Sequence, residues 1–208
     1  MATELIQNNI ESLIGTIIGL VITYILTSIV TAGSSNFYLK FLEKDGDVEF
    51  KDFIVSSNKV LKSLGYTMVV GIIGLILIFI CAITIFAFSM NFIPSLLGLV
   101  DMSIESMIAN LVIPIIIIIL ALIIYNIFVY GVSLTPYIII ENEDLGVFKA
   151  MKLSKKIMKG NKWKLFILYI SFIGWAILSL LTLGIGFLWL VPYITLSMTN
   201  FYKDIISE

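Results

Sequence analysis

Histidine and arginine are absent, cysteine occurs once, at Cys81, and charged side chains make up only 13% of the 208 residues. Each scarcity closes off a kind of chemistry. A lone cysteine builds no disulfide framework and no thiolate metal cluster within one chain. No phosphate-binding glycine loop, zinc motif or serine elbow occurs. The long apolar stretches hold no ionisable residue of the kind kept there for proton relays, ion sites or catalysis. An acid–base pair is left to loop carboxylates such as Glu141, Glu143 and Asp144. Those acids stand just ahead of a lysine-rich helical pattern, where negative groups favour the N-terminal end of a helix dipole. The chain reads as a non-enzyme that needs no cofactor and no metal.

What is present is apolar. Hydrophobic residues make up 60% of the chain, and the mean hydropathy is +1.09. A soluble domain of this size could not cover that much apolar surface. Residues 12–39, 63–100, 106–140 and 165–202 carry no charge at all, and each exceeds the ~20 residues that cross a hydrocarbon core. The last is long enough for two crossings, with Thr182, Gly184 and Gly186 predicting a tight turn near its middle. The expected spans are residues 12–32, 66–88, 108–131, 164–181 and 187–202. Residues 1–11 hold two acids and no lysine, unlike a cleaved signal, so the first span is expected to be kept.

All thirteen basic residues are lysines, and their placement predicts the topology. Lys40, Lys44, Lys51, Lys59 and Lys62 lie between spans one and two. Lys149, Lys152, Lys155, Lys156, Lys159, Lys162 and Lys164 lie between spans three and four, and Lys203 follows span five. The remaining connections carry Glu4, Glu11, Asp101 and Glu105 and no lysine. Because cytoplasmic loops hold the lysine excess, the N-terminus is expected outside a cell membrane and the C-terminus in the cytoplasm.

Shifted by 98 residues, the sequence matches itself without a gap. Gly33 falls on Gly131, Ser35 on Ser133, Glu43 on Glu141, Phe50 on Phe148, Lys51 on Lys149 and Ser56 on Ser154. The expected fold is an all-α polytopic membrane protein, a single integral membrane domain over residues 1–208. Within it, two parallel span-linker-span repeats, at about 12–89 and 108–181, are followed by a closing helix at 187–202.

Both linkers have helical periodicity. In the second, Val147, Ala150, Met151, Ser154, Ile157 and Met158 share one side, and Lys149, Lys152, Lys156 and Lys159 the other. In the first, Phe50, Phe53, Ile54, Ser57, Leu61 and Leu64 make a similar stripe. Such helices are expected to lie in the headgroup layer with the apolar face down and the lysines on anionic lipid. Gly160 is expected to end the second helix and Trp163 to anchor the bend into span four. Lys149, Lys152, Lys156, Lys159 and Trp163 are thus the candidate lipid- or partner-binding residues. The plainer reading is that positive-inside topology needs lysines somewhere. Nucleic acid is not an expected partner, because no aromatic interleaving or known module accompanies the lysines. Gly15 and Gly19, spaced as G-x-x-x-G, and Gly174 are expected at helix-packing contacts, the first pair serving the fold or a homo-oligomer. Asn126 is expected to donate a hydrogen bond between helices.

A resemblance covers about fifty residues of the C-terminal half. Ser154, the run Met158-Lys159-Gly160-Asn161-Lys162, Phe166, Ser171-Phe172-Ile173-Gly174-Trp175, Thr182, Gly184-Ile185-Gly186, Leu188-Trp189-Leu190, Pro192-Tyr193 and Phe201-Tyr202 carry it. The chain resembles the integral-membrane family of Gram-positive bacteria catalogued as domain of unknown function 975. Gly33, Phe37, Leu39 and the Phe50 region match more loosely. Members of that family usually begin with a basic amphipathic segment and one further span, so the resemblance implies a shortened N-terminal portion here. It implies a fold and no mechanism. The functional expectation is a membrane-embedded accessory to another membrane system, and the alternative is a carrier or conduit for a lipid-like or amphipathic peptide substrate, with the cleft between the two repeats as its path.

Overall fold

A run such as Pro114-Ile115-Ile116-Ile117-Ile118-Ile119 is β-branched and would favour a strand in water. In an apolar medium only a helix satisfies every backbone group within one segment. The computed structural model describes residues 2–97 and 103–207, and every regular element among them is a helix. Asp101 and the side chain of Glu4 lie outside the described residues. In order, the helices are α1 (Ala2–Glu43), α2 (Ser57–Leu96), α3 (Ile104–Val132), α4 (Thr135–Glu141), α5 (Val147–Ile157), α6 (Lys162–Ser171), α7 (Ile173–Leu181) and α8 (Phe187–Ser207), with a 3-10 turn at Phe50–Phe53 after α1.

Four stretches are long and apolar enough to cross a membrane: Asn9–Glu43, Ser57–Pro94, Ile108–Glu141 and Lys162–Leu181. They contain the first four expected spans. The fifth falls in α8, which is not among the four, because Thr195, Ser197, Thr199, Asn200, Lys203 and Asp204 dilute its apolar residues. The turn before α8 occupies Thr182–Gly186, as the sequence predicts. Leu183 and Gly184 take positive φ there, and Thr182 Oγ1 accepts from the Gly186 amide at 2.9 Å.

The chain divides into two compact units, Met1–Met68 with Gly131–Glu208, and Val69–Tyr130. In the second unit, Gly74 of α2 lets the Tyr125 hydroxyl of α3 approach to 3.4 Å from where a Cβ would stand. The most apolar parts of α2 and α3 bury no side chain. The core lies in the first unit, around α4, whose Thr135, Pro136, Tyr137, Ile138, Ile139 and Ile140 are all buried. Ala32 and Leu39 of α1, Ala150 and Met151 of α5, and Met198, Tyr202 and Ile205 of α8 complete it. Each fully buried isoleucine contributes ~1.5–3 kcal/mol relative to exposure.

Proline separates α3 from α4. Pro136 sits in the first turn of α4, offers no N–H and crowds the carbonyl four residues earlier, at Val132. Thr135 Oγ1 donates to that carbonyl instead, at 2.6 Å. Helix α5 then secures the break. Ser154 Oγ donates to the Gly131 carbonyl at 2.9 Å and accepts from the Leu134 amide at 3.2 Å. The aligned part of the first half has no such break, because Tyr38 stands where the second half has Pro136, and α1 runs unbroken to Glu43.

Two expectations for the linkers are corrected. The apolar side of α5 faces protein and not lipid: Ala150, Met151, Ser154 and Met158 are buried, and α5 packs on α4. The first linker is not an amphipathic helix. After the Phe50–Phe53 turn the chain is extended at Ile54, and α2 starts only at Ser57. Tertiary partners override the helical periodicity there. The Phe53 ring and carbonyl press to 2.7 Å from where a Cβ of Gly33 would stand, and buried Asp52 is pinned from α1. Phe50, Ile54 and Leu61 of the expected stripe are left exposed.

Candidate functional site

Helix α5 begins at Gly146, whose carbonyl accepts the first helical bond from Ala150, and stops before Gly160 with its φ of 94°. With its apolar side used by the core, its outer side carries Lys149, Lys152 and Lys156, with Lys159 in the following turn, all exposed. Among the described residues the side chains of these four lysines make no hydrogen bond or ion pair, and every other lysine has a partner. Phe148 is 76% exposed at one end of the row. Trp163, near the start of α6, is 67% exposed beyond the other end, with its ring stacked on Phe166 at 4.9 Å. The four lysines thus share the outer side of α5 and its following turn, and Trp163 is exposed near the start of the next helix.

The other lysines hold the fold. Lys203 of α8 bonds Glu141 at the end of α4, at 2.7 Å, and Glu43 at the end of α1, at 3.0 Å. Tyr202 donates to the second oxygen of Glu141 at 2.5 Å and stacks on Tyr137 with centroids 5.2 Å apart. Burial pulls the Lys203 pKa down, but the hydrogen bonds to Glu141 and Glu43 outweigh it and hold the ammonium above its usual range. A cation suits this position, because two helix C-termini with their carboxylates would otherwise meet there uncompensated. The sequence pointed to this cluster only obliquely, through the match of Glu43 with Glu141.

A second cluster fixes the first linker. Asp52 accepts from Lys40 at 2.8 Å and from Lys44 at 3.4 Å, and the Glu49 amide caps it at 3.2 Å. The hydrogen bond from Lys40 and the one from the Glu49 amide hold its carboxyl at about 2, against some opposition from burial. Asn36 donates to the Asp52 carbonyl at 2.6 Å. Lys59 pairs with Glu143 at 2.8 Å, and that bond holds Glu143 below the usual carboxylate range. Lys62 donates to the Glu143 carbonyl. Nothing in the local pattern marked Asp52, because its partners come from α1. Among the described residues no group of three histidine, cysteine or acidic side chains gathers as a metal site would require.

The family model described as "Protein of unknown function (DUF975)" matches residues 1–208. The chain belongs to the DUF975 family. No curated protein and no solved structure matches it. Several of the residues that carry the resemblance have visible work in this DUF975 chain. Ser154 closes the α3–α4 break, Gly160 takes positive φ, Thr182 and Gly186 build the hairpin turn, and Tyr202 holds Glu141. These are structural positions, while Lys159 is the one member of the lysine row among the residues that carry the resemblance.

Among the described residues of the DUF975 chain, a Cβ added at Gly15, Gly19 or Gly174 would meet nothing within 4 Å, which leaves these faces open. Asn126 makes no bond between helices through its amide nitrogen. That group donates to the Leu122 carbonyl of its own helix at 2.8 Å, the nearest acceptor for an exposed asparagine on an apolar helix. The close approaches occur at Gly33, at Gly65 and at Gly186, which lies 2.7 Å from Ser179. The turn pattern marked Gly186, but no packing motif marked Gly33 or Gly65, because each is met by a residue remote from its own helical turn, Phe53 and Val147.

Proposed function

We propose that this DUF975 protein is a non-enzymatic, membrane-embedded accessory that associates with another membrane system through the lysine face of α5. Peptide export, bacteriocin self-protection and envelope stress are the processes such an accessory would serve. The observation that carries the reading is the row of four partnerless lysines on a helix whose other side the core already uses. Charge with no internal use and a fixed position is a docking surface.

The topology that goes with it has five crossings of a cell membrane, with α8 as the fifth, the N-terminus outside and the C-terminus cytoplasmic. The parallel-repeat reading draws support from two pairs of aligned residues. Glu43 and Glu141 converge on Lys203. Gly33 and Gly131 are each approached by side chains that follow them in sequence, Phe53 at the first and Lys162 with Lys155 at the second. The ligands in this reading are the bilayer with its anionic headgroups, a membrane protein partner, and a second copy meeting the unoccupied Gly15 and Gly19 face of α1.

Gentle purification of the tagged protein from its own membrane, with mass spectrometry of everything retained, tests the reading. A stoichiometric protein partner is expected. A chain that turned over a substrate alone in liposomes would sink it. The carrier reading rests on the open apolar groove of about 560 Å³ between α7 and α8, lined by Trp175, Leu178, Trp189 and Tyr193. Recovery of the protein alone with one enriched lipid or peptide would favour it. Replacing Lys152 and Lys156 together by glutamine is expected to weaken capture and leave insertion intact. Inverted insertion would make those lysines topological only.

A further inference from the structure

Helix α5 is tied down at both ends. At its start Val147 packs on Gly65 of α2, with a methyl carbon 3.0 Å from where a Cβ would stand. Near its end Ser154 bonds Gly131 and Leu134. Gly65 directly precedes the span at 66–88, and Gly131 closes the span at 108–131. Under the proposed topology both ties therefore lie where a span meets the cytoplasmic surface. A helix held at two such points runs along the membrane at headgroup depth.

Its apolar side is spent on the core, so insertion of that side into lipid is not what holds it there. The lysines are presented by the protein as a fixed row, about 15 Å from Lys149 to Lys159 at the helical rise. Phe148 and Trp163 stand exposed at the two ends, and aromatic rings at headgroup depth anchor at the membrane interface. A row of cations bracketed by such rings suits a lipid surface better than an acidic peptide, which would match the charges and leave the rings unanswered.

The geometry points to the phosphates of anionic phospholipids as the ligands of this row, bound at fixed positions by Lys149, Lys152, Lys156 and Lys159. This rests on the topology proposed above and names the ligand of the same face. Because the apolar side contributes nothing to capture, binding is carried by charge and falls with ionic strength.

Native mass spectrometry of the full-length protein in neutral detergent, offered equal amounts of phosphatidylglycerol and phosphatidylcholine, measures this. The protein is expected to retain phosphatidylglycerol preferentially, and added salt is expected to erode the preference. The fourfold variant Lys149→Gln, Lys152→Gln, Lys156→Gln, Lys159→Gln is expected to lose about tenfold or more of it. The fourfold lysine-to-arginine variant, which keeps charge and topology, is expected to keep it. Should the glutamine variant fail to accumulate, the salt titration decides, and a salt-independent preference overturns the assignment. Equal retention of both lipids, or an undiminished preference in the glutamine variant, also overturns it. So does lysine-dependent capture of a polyglutamate peptide in pure phosphatidylcholine nanodiscs without any lipid preference, which would assign the row to a protein. The accessory reading fails separately, when native purification retains no stoichiometric partner.

Discussion

Single side chains in this protein divide between those that answer a neighbour and those that answer nothing inside the chain. Ser154 is of the first kind. Ser154→Ala leaves the Leu134 amide and the Gly131 carbonyl without their partner in a buried place, an expected loss of about 1–3 kcal/mol, read as a lower unfolding temperature in detergent. Asp52 gives a prediction in pH. Its folded value of about 2 lies below the ordinary 3.8, so the linker contact is fully present above the ordinary value and is lost as the pH falls through about 2. Protease cleavage of residues 44–56 on acidification follows that loss, and Asp52→Asn removes the pH dependence. Lys203 has the opposite sign. Its raised value means that its contribution is present below the ordinary 10.5 and disappears as the pH rises through the folded value. Neither Asp52 nor Lys203 was legible in sequence, since Lys203 meets a glutamate 160 positions away. Lys149, Lys152, Lys156 and Lys159 were legible, because a helical period is a local property.

Among the elements, α5 and the hairpin turn at Thr182–Gly186 follow from residues within a few positions of one another, and they form as the pattern predicts. The first linker has a pattern of similar quality, with Phe50, Phe53 and Ile54 spaced for a helix, and yet it forms a 3-10 turn and an extended segment. The difference is Gly33, which opens a seat for Phe53 on α1, together with the lysines of α1 that hold Asp52. Helix α1 therefore offers a contrast between its glycines. Gly33→Ala places a carbon 2.7 Å from the Phe53 ring and carbonyl, an expected loss of about 1–3 kcal/mol from overpacking. Gly15→Ala meets open space and is expected to stay within about 0.5 kcal/mol. Thermal unfolding of both variants checks the pair. If Gly15→Ala matched Gly33→Ala, that face of α1 would be packed against another molecule.

For the whole molecule, the four apolar stretches were plain from charge-free length alone, while the position of the core was not. It surrounds α4, a seven-residue helix at the end of what reads as a continuous apolar run. The ends of three helices are joined there by Lys203. Lys203→Met would leave Glu43 and Glu141 without their cation, an expected cost of about 1 kcal/mol for a partly exposed pair of bonds. Faster proteolysis of the end of α8 would register it, and an unchanged digestion pattern would show that the stacking of Tyr137 on Tyr202 suffices.

The location of that core also sets an order in time. Glu141 and Tyr202 are 61 residues apart, and at ~5–20 residues per second the ribosome needs roughly 3–12 s to pass from one to the other. Through that interval α4 has been made and the α8 residues that cover it have not. The newborn chain must keep Tyr137, on whose ring Tyr202 will stack, and the carboxylate of Glu141 from other partners while it waits. Completion of this protein is thus a late event, governed by the synthesis of α8, and mutations in α8 would be felt first as lost yield in the cell.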